Sequence, residues 1–122
     1  RHVFSIVGDG GALMTGSELA TAVAQKAKIK VIVANNNHYG TIRYHQEVHF
    51  PTRDHYATNL VNPDFAKYGE SFGLKCFTIN NTEEILPTIK SAMEVDGPSL
   101  IEFKMSLELN TSTTTISQLQ TN

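Results

Sequence analysis

An aspartate set among glycines, Gly8-Asp9-Gly10-Gly11, and three successive asparagines, Asn35-Asn36-Asn37, are the residues of this chain best suited to chemistry. A glycine-rich turn leading into a helix offers backbone N–H groups to an anion such as phosphate. A bare carboxylate at the same place would repel that phosphate. A divalent cation between the two removes the conflict, because Mg²⁺ takes carboxylate, amide and carbonyl oxygens together with phosphate oxygens. The asparagines would supply neutral amide oxygens. Taken singly, Asp9 reads as a turn or capping residue, and the asparagine run as a loop that tolerates left-handed backbone. Found together at two strand ends, they read as a magnesium–diphosphate site.

The positioning elements follow from the apolar pattern. Residues 3–7 and 30–34 are short apolar runs, the mark of strands buried on both faces of a parallel sheet. Each delivers one polar cluster, and ligands of open α/β sheets bind at the carboxyl ends of the strands. Residues 8–14 read as a loop. Thr15-Gly16-Ser17-Glu18 fits a capping box and predicts a helix from near Gly16, with Leu19, Val23 and Ala27 on one face. Residues 35–43 read as a second loop, and 44–61, polar and rich in His and aromatic residues, carry no clear pattern. Asn62-Pro63-Asp64 predicts a helix capped by Asn62, running to about Phe72 and ended by Gly73. Residues 74–79 form a third strand. Thr82-Glu83-Glu84 opens a helix to about Val95, Gly97-Pro98 breaks it, and residues 99–104 form the last strand. The tail from Ser106 is rich in Ser and Thr, and is read either as loosely held or as folding over the site. Strands alternating with helices imply an α/β fold, three-layer α/β/α with a mostly parallel sheet and right-handed crossovers.

Composition narrows the function classes. The chain has 122 residues, enough for one domain with a core, and 40% of them are hydrophobic. A net charge of -2 offers no basic surface for nucleic acid. No apolar run approaches a membrane span. A single cysteine, Cys76, rules out an internal disulfide framework and suits a reducing, cytoplasmic setting. Cys76 lies among apolar strand residues and reads as a core thiol. Asn80-Asn81-Thr82 and Asn110-Thr111-Ser112 match the glycosylation pattern but stand without a visible signal peptide. The opening of the chain directly on a strand, without Met, reads as a piece of something longer.

Two rival sites fit less well. A dinucleotide fingerprint would need glycine at Leu13 and an acidic residue at the next strand end, where this chain has asparagines. His45 and His49, four apart, could share a helix face as metal ligands, but no third ligand stands at a clear spacing. Arg43 reads equally as a contact for an anionic substrate or for a surface carboxylate. His45, Gln46 and Glu47 read as a solvated loop, with lining of the site entrance as the alternative.

Gly8-Asp9-Gly10 followed by Asn35-Asn36 resembles the signature of the C-terminal cofactor-binding domain of thiamine diphosphate-dependent enzymes. The flanks agree over nearly the whole chain: Met14, Glu18 to Val23, Tyr39-Gly40, Asn62-Pro63-Asp64-Phe65-Ala66, Phe72-Gly73 and Gly97 to Glu102. Tyr39-Gly40-Thr41-Ile42-Arg43, with His45-Gln46 soon after, is most similar to acetolactate synthase-like members.

The resemblance implies thiamine diphosphate and Mg²⁺ as cofactors. It implies that Asp9, the side chain of Asn36 and the backbone carbonyl of His38 bind the metal. Gly10 and Gly11 would give N–H groups to the diphosphate, Gly8 would open that loop, and Tyr39 and Gly40 would border the diphosphate and the thiazolium ring. Asn35 would shape the turn. Asn37 departs from the family, where glycine is common. The implied substrate is a 2-keto acid, and the implied parent is a homodimer or homotetramer. No catalytic residue falls in these 122 residues, because the activating glutamate belongs to a separate pyrimidine domain and the first part of the diphosphate domain is expected upstream of Val3. On this reading residues 1–122 are the diphosphate-binding domain without that first part, inactive alone and prone to self-association through exposed apolar surface. The alternative is a non-catalytic regulatory or assembly module that keeps the fold.

Overall fold

Four parallel strands form one sheet in the order β1-β2-β4-β3: β1 (Val3–Gly8), β2 (Ile29–Asn35), β3 (Lys75–Ile79) and β4 (Ser99–Lys104). The computed structural model describes residues 1–109 and 115–120. The helices are α1 (Asp9–Thr15), α2 (Leu19–Ala24), α3 (Gly40–His49), α4 (Phe65–Ser71), α5 (Ile85–Glu94) and α6 (Ile116–Gln120). All four strands fall where their apolar runs predict them. The α/β class with a parallel sheet is therefore the observed fold.

The sheet separates two cores. On one face Ala12 of α1, Leu19 of α2 and Phe65 of α4 pack against Val33 and Leu100. On the other, Ala92 of α5 packs against Ile79 and Ile101. The chain steps from β1 to β2 and from β2 past β4 to β3 on the first face. It then reverses, and α5 returns it to β4 on the second face. A right-handed crossover requires this change of face when the direction of travel reverses.

Local chemistry explains several boundaries. Asn81 caps the turn before α5: its side chain accepts from the Glu84 amide at 3.2 Å, and the Glu84 carboxylate accepts from the Asn80 amide at 2.8 Å. The Asn80 backbone amide first, and then the side-chain amides of Asn81 and Asn80, hold the Glu84 carboxyl below its usual range. Gly97, at φ +130°, makes the turn into β4 that a side chain would strain. Lys30 is fully buried in β2, and its ammonium donates to the carbonyls of Val95 and Gly97, both at 2.8 Å. A buried cation needs such partners, and here it ties the end of α5 to the sheet. Gly69 lies against Cys76, where an added Cβ would meet Sγ at 2.6 Å, so α4 packs closely on β3.

Several expectations are corrected. The capping box at Thr15 is not formed: helix α1 already starts at Asp9, and the Thr15 hydroxyl donates back to the Gly11 carbonyl. Packing of Ala12 into the core holds a helix that two glycines disfavour locally. Residues 40–49 are helix α3, not loop. The cap of α4 is Asp64, whose carboxylate accepts from the Lys67 amide at 3.0 Å, and not Asn62. Strand β1 is not covered on both faces: Ile6 is 75% and Val3 56% exposed. It is an edge strand, and α5 lies over β3 and β4 at the other side of the sheet. The part of the tail that is described is held, since Ile116 is buried and α6 packs on α3. Residues 110–114, Asn110 and Thr111 among them, lie outside the described residues.

Candidate functional site

Asp9 and Asn35 emerge side by side from the carboxyl edge of the sheet. The β1–β2 pairing ends at Gly8 opposite Ala34, so each is the next residue on adjacent strands. Both are buried, Asp9 to 3% and Asn35 to 7% exposure. A carboxylate that deep requires hydrogen bonds or a cation. One of its oxygens accepts from the Gly10 amide at 2.9 Å, and the other from the Asn62 amide nitrogen at 2.7 Å.

Asn62 is the site residue that sequence reasoning missed. Its Nδ2 also lies 2.9 Å from Asn35 Oδ1 and 3.1 Å from Asn37 Oδ1. Three side-chain oxygens thus converge on one point beside the strand ends. The Asn62 Oδ1 is itself buried without a hydrogen-bond partner among the described residues. The only hint in the sequence was an asparagine two residues ahead of a second good capping residue, Asp64.

The orientation of Asn35 is unambiguous. Its Nδ2 donates to Glu102 Oε1 at 2.8 Å, and a carboxylate only accepts. Its Oδ1 therefore faces Asn62 and the Asn37 amide, 3.1 Å away. Asn37 has φ +58°, the left-handed region that asparagine tolerates and glycine favours. This accounts for the residue that replaces the common glycine. The Asn36 side chain accepts from the His38 amide at 3.0 Å. The neighbouring carbonyls of Asn37 and Tyr39 accept from Leu60 and Arg43, while no backbone N–H among the described residues is paired with that of His38.

The His38 ring is pinned as well. Its Nδ1 meets the Asn36 carbonyl at 3.2 Å and its Nε2 meets the Arg43 guanidinium at 2.9 Å. A carbonyl only accepts and a guanidinium only donates, so the ring proton sits on Nδ1. Arg43 continues to Glu47 at 3.5 Å, and Glu47 lies 3.8 Å from His55. Arg43 thus meets a buried carboxylate, and Glu47, 3% exposed, is no part of a solvated loop. His45 and His49 do share a face, their rings stacked with centroids 5.9 Å apart. No group of three or more His, Cys, Asp or Glu side chains among the described residues is placed to hold a metal. Tyr39 lies against the glycine loop: a Cβ on Gly10 would stand 2.5 Å from its ring. Gly40 is the first residue of α3.

The comparisons agree with this geometry. Residues 1–103 match the family described as "Thiamine pyrophosphate enzyme, C-terminal TPP binding domain". The chain belongs to this family. Among its relatives, the 3D-(3,5/4)-trihydroxycyclohexane-1,2-dione hydrolase of Bacillus subtilis is 37% identical over 113 residues, covering 86% of this chain and 17% of the relative. The acetolactate synthase large subunit of Porphyra purpurea is 32% identical over 105 residues, covering 85% of this chain and 18% of that subunit. A solved structure, the thiamine diphosphate-dependent 4-hydroxybenzoylformate decarboxylase of Rhodococcus jostii RHA1, superposes with a TM-score of 0.79 at 27% identity, over 87% of this chain and 20% of that one. The chain therefore spans about a fifth of the length of these relatives. Within this thiamine pyrophosphate-binding domain no described helix is long and apolar enough to cross a membrane.

Cys76 takes no part in the site. Burial is the first cause that raises its pKa from 9.0 to about 11, with Glu70 adding to it. The thiol is thus neutral at ordinary pH and inert as a nucleophile. A shift of about two units means a hundredfold smaller thiolate fraction at pH 8, so iodoacetamide should alkylate Cys76 about 100-fold more slowly in the folded chain than in urea. Because the folded chain keeps this proton longer than the unfolded one, the stability that the neutral thiol contributes falls as pH rises from 9.0 to about 11. Equal alkylation rates in the two states would contradict this.

Proposed function

We propose that this domain holds the diphosphate end of thiamine diphosphate through Mg²⁺, as part of a longer enzyme that decarboxylates or ligates 2-keto acids in the manner of acetolactate synthase. The observation that carries the reading is the buried Asp9 carboxylate, 3% exposed, at a strand end where amide oxygens of the next strand gather. One carboxylate with neutral oxygens is a hard donor set that suits Mg²⁺. Asp9, the Asn36 side chain and the His38 carbonyl would hold the metal. The Gly11 amide would meet the diphosphate, joined by the Gly10 amide where it turns from Asp9 Oδ1, with Gly8, Tyr39 and Gly40 around it. When bound, thiamine diphosphate supplies the carbon nucleophile and the electron sink that 2-keto acid chemistry needs.

The chain's own residues bind and orient. Asp9 brings the negative charge that lets the metal screen the diphosphate. The Tyr39 ring, packed over Gly10, closes one side of the loop. The activating glutamate would come from another domain, so the chain alone is inactive, and a homodimer or homotetramer would supply the remainder in a reducing, cytoplasmic setting. The named activities of the relatives differ, a hydrolase, a synthase and a decarboxylase, while the matching family is described by thiamine pyrophosphate binding, so the cofactor has more support than any one substrate.

Calorimetric titration of thiamine diphosphate into the enzyme carrying this domain tests the reading. With Mg²⁺ present the cofactor should bind, and with EDTA the affinity should fall by at least about tenfold. Equal affinity without any divalent cation would refute it.

A further inference from the structure

We propose that Glu102 and Asn62 are positioning residues that hold both halves of the metal-binding set. The proposal rests on the cofactor reading above.

The chain of contacts starts at Glu102, a carboxylate 3% exposed in the middle of β4, away from the strand ends. Among the described contacts it hydrogen-bonds none of Asp9, Asn36 and His38. Its partner is the Asn35 amide, at 2.8 Å. By accepting from Nδ2 it forbids the flipped amide, in which Asn35 Oδ1 would face the carboxylate. Asn35 Oδ1 then does two things. It accepts from the Asn37 amide at 3.1 Å, which sets the turn carrying the Asn36 side chain and the His38 carbonyl. It also accepts from Asn62 Nδ2 at 2.9 Å, which aims that amide at Asp9 Oδ2, 2.7 Å away.

The Asp9 carboxylate is thereby fixed at both oxygens, one by Gly10 and one by Asn62. Without Glu102 only the Asn37 N–H, a single donor at 3.1 Å, would still favour the present orientation of the Asn35 amide. Flipped, it would turn an NH₂ toward the Asn37 amide and toward Asn62, and both contacts would be lost. One buried carboxylate thus orders the proposed ligands at two strand ends, reaching Asp9 through Asn62 of the segment before α4. Outer partners of this kind commonly change metal affinity by about 10–100-fold.

The test uses the full enzyme with Asn62→Ala, Glu102→Ala, Glu102→Gln and, as control, Asp9→Ala. Mg²⁺ is titrated at saturating thiamine diphosphate, following binding heat and, in parallel, turnover. Asn62→Ala and Glu102→Ala should each raise the half-saturating Mg²⁺ by about 10-fold or more, with kcat at saturating Mg²⁺ within about threefold of the parent. Glu102→Gln keeps an oxygen facing Asn35 and should restore near-parental Mg²⁺ binding. The double variant should be no worse than the weaker single one, because the two act in series. Parental Mg²⁺ binding by Asn62→Ala, or a Glu102→Gln as defective as Glu102→Ala, would overturn the proposal. Should Glu102→Ala fail to fold, Asn62→Ala and Glu102→Gln decide alone. If Asp9→Ala also binds Mg²⁺ normally, the cofactor reading itself falls. If only Asp9→Ala is defective, the positioning role alone falls.

Discussion

Asp9→Ala is expected to abolish Mg²⁺-dependent binding of thiamine diphosphate while leaving the fold in place. The carboxylate is the one charged ligand proposed for the metal, so its loss should weaken metal binding by more than the 10–100-fold or so seen for outer partners. The fold should survive because the change removes a buried charge, and the Asn62 amide left behind keeps Asn35 Oδ1 and Asn37 Oδ1 as acceptors. Asp9 accepts from Gly10 and Asn62. Those hydrogen bonds offset the cost of burying it, and a neutral replacement loses both the bonds and that cost. Asp9→Asn keeps an acceptor and a similar shape, yet lacks the charge, and should bind nearly as poorly as Asp9→Ala. Thermal unfolding in EDTA, compared with titration in Mg²⁺, separates the two effects. A variant that unfolds like the parent but binds no cofactor is the expected outcome. Parental Mg²⁺-dependent affinity in Asp9→Ala would exclude Asp9 as a ligand.

The largest loss of stability is expected from Phe65→Ala, at about 3–5 kcal/mol. Phe65 is 0% exposed and joins Ala12, Leu19, Val33, Leu74 and Leu100 in the core of the site-bearing face. It is the first residue of α4, just after the capping Asp64 and three residues beyond Asn62. Truncation would open a cavity beneath the segment that carries Asn62. Phe65→Leu fills most of that space and should cost less than about 1.5 kcal/mol. Urea unfolding of the chain measures both. A loss below about 1 kcal/mol for Phe65→Ala would mean that α4 is not anchored through this ring.

The sequence was most legible where one short run does one thing. The strands are short apolar runs, and such runs pair into a parallel sheet even where, as in β1, one face is left open. Even Lys30 did not obscure β2, because its long side chain ends on carbonyls of the α5–β4 turn. The polar residues at the strand ends were legible for the same reason, since the edge of a parallel sheet is where such residues gather. Helix starts were less legible. Gly10 and Gly11 argue for a loop, yet α1 begins at Asp9 because Ala12 is buried against the core. His45 to Glu47 read as a solvated loop, yet Glu47 is buried within α3 beside Arg43.

By itself the sequence determined the four strands, the α/β class and the pairing of a carboxylate with amide oxygens at neighbouring strand ends. Those features depend on residue type and short spacing. Only the tertiary structure decided that Asn62, 53 residues from Asp9, gives up the helix cap to Asp64 and reaches the carboxylate instead. It alone decided that Glu102, 67 residues from Asn35, sets that amide. Asn and Asp are about equally good helix caps, so local preference could not choose between residues 62 and 64. Contacts across such separations come from crossovers and strand order, which residue spacing along the chain does not encode.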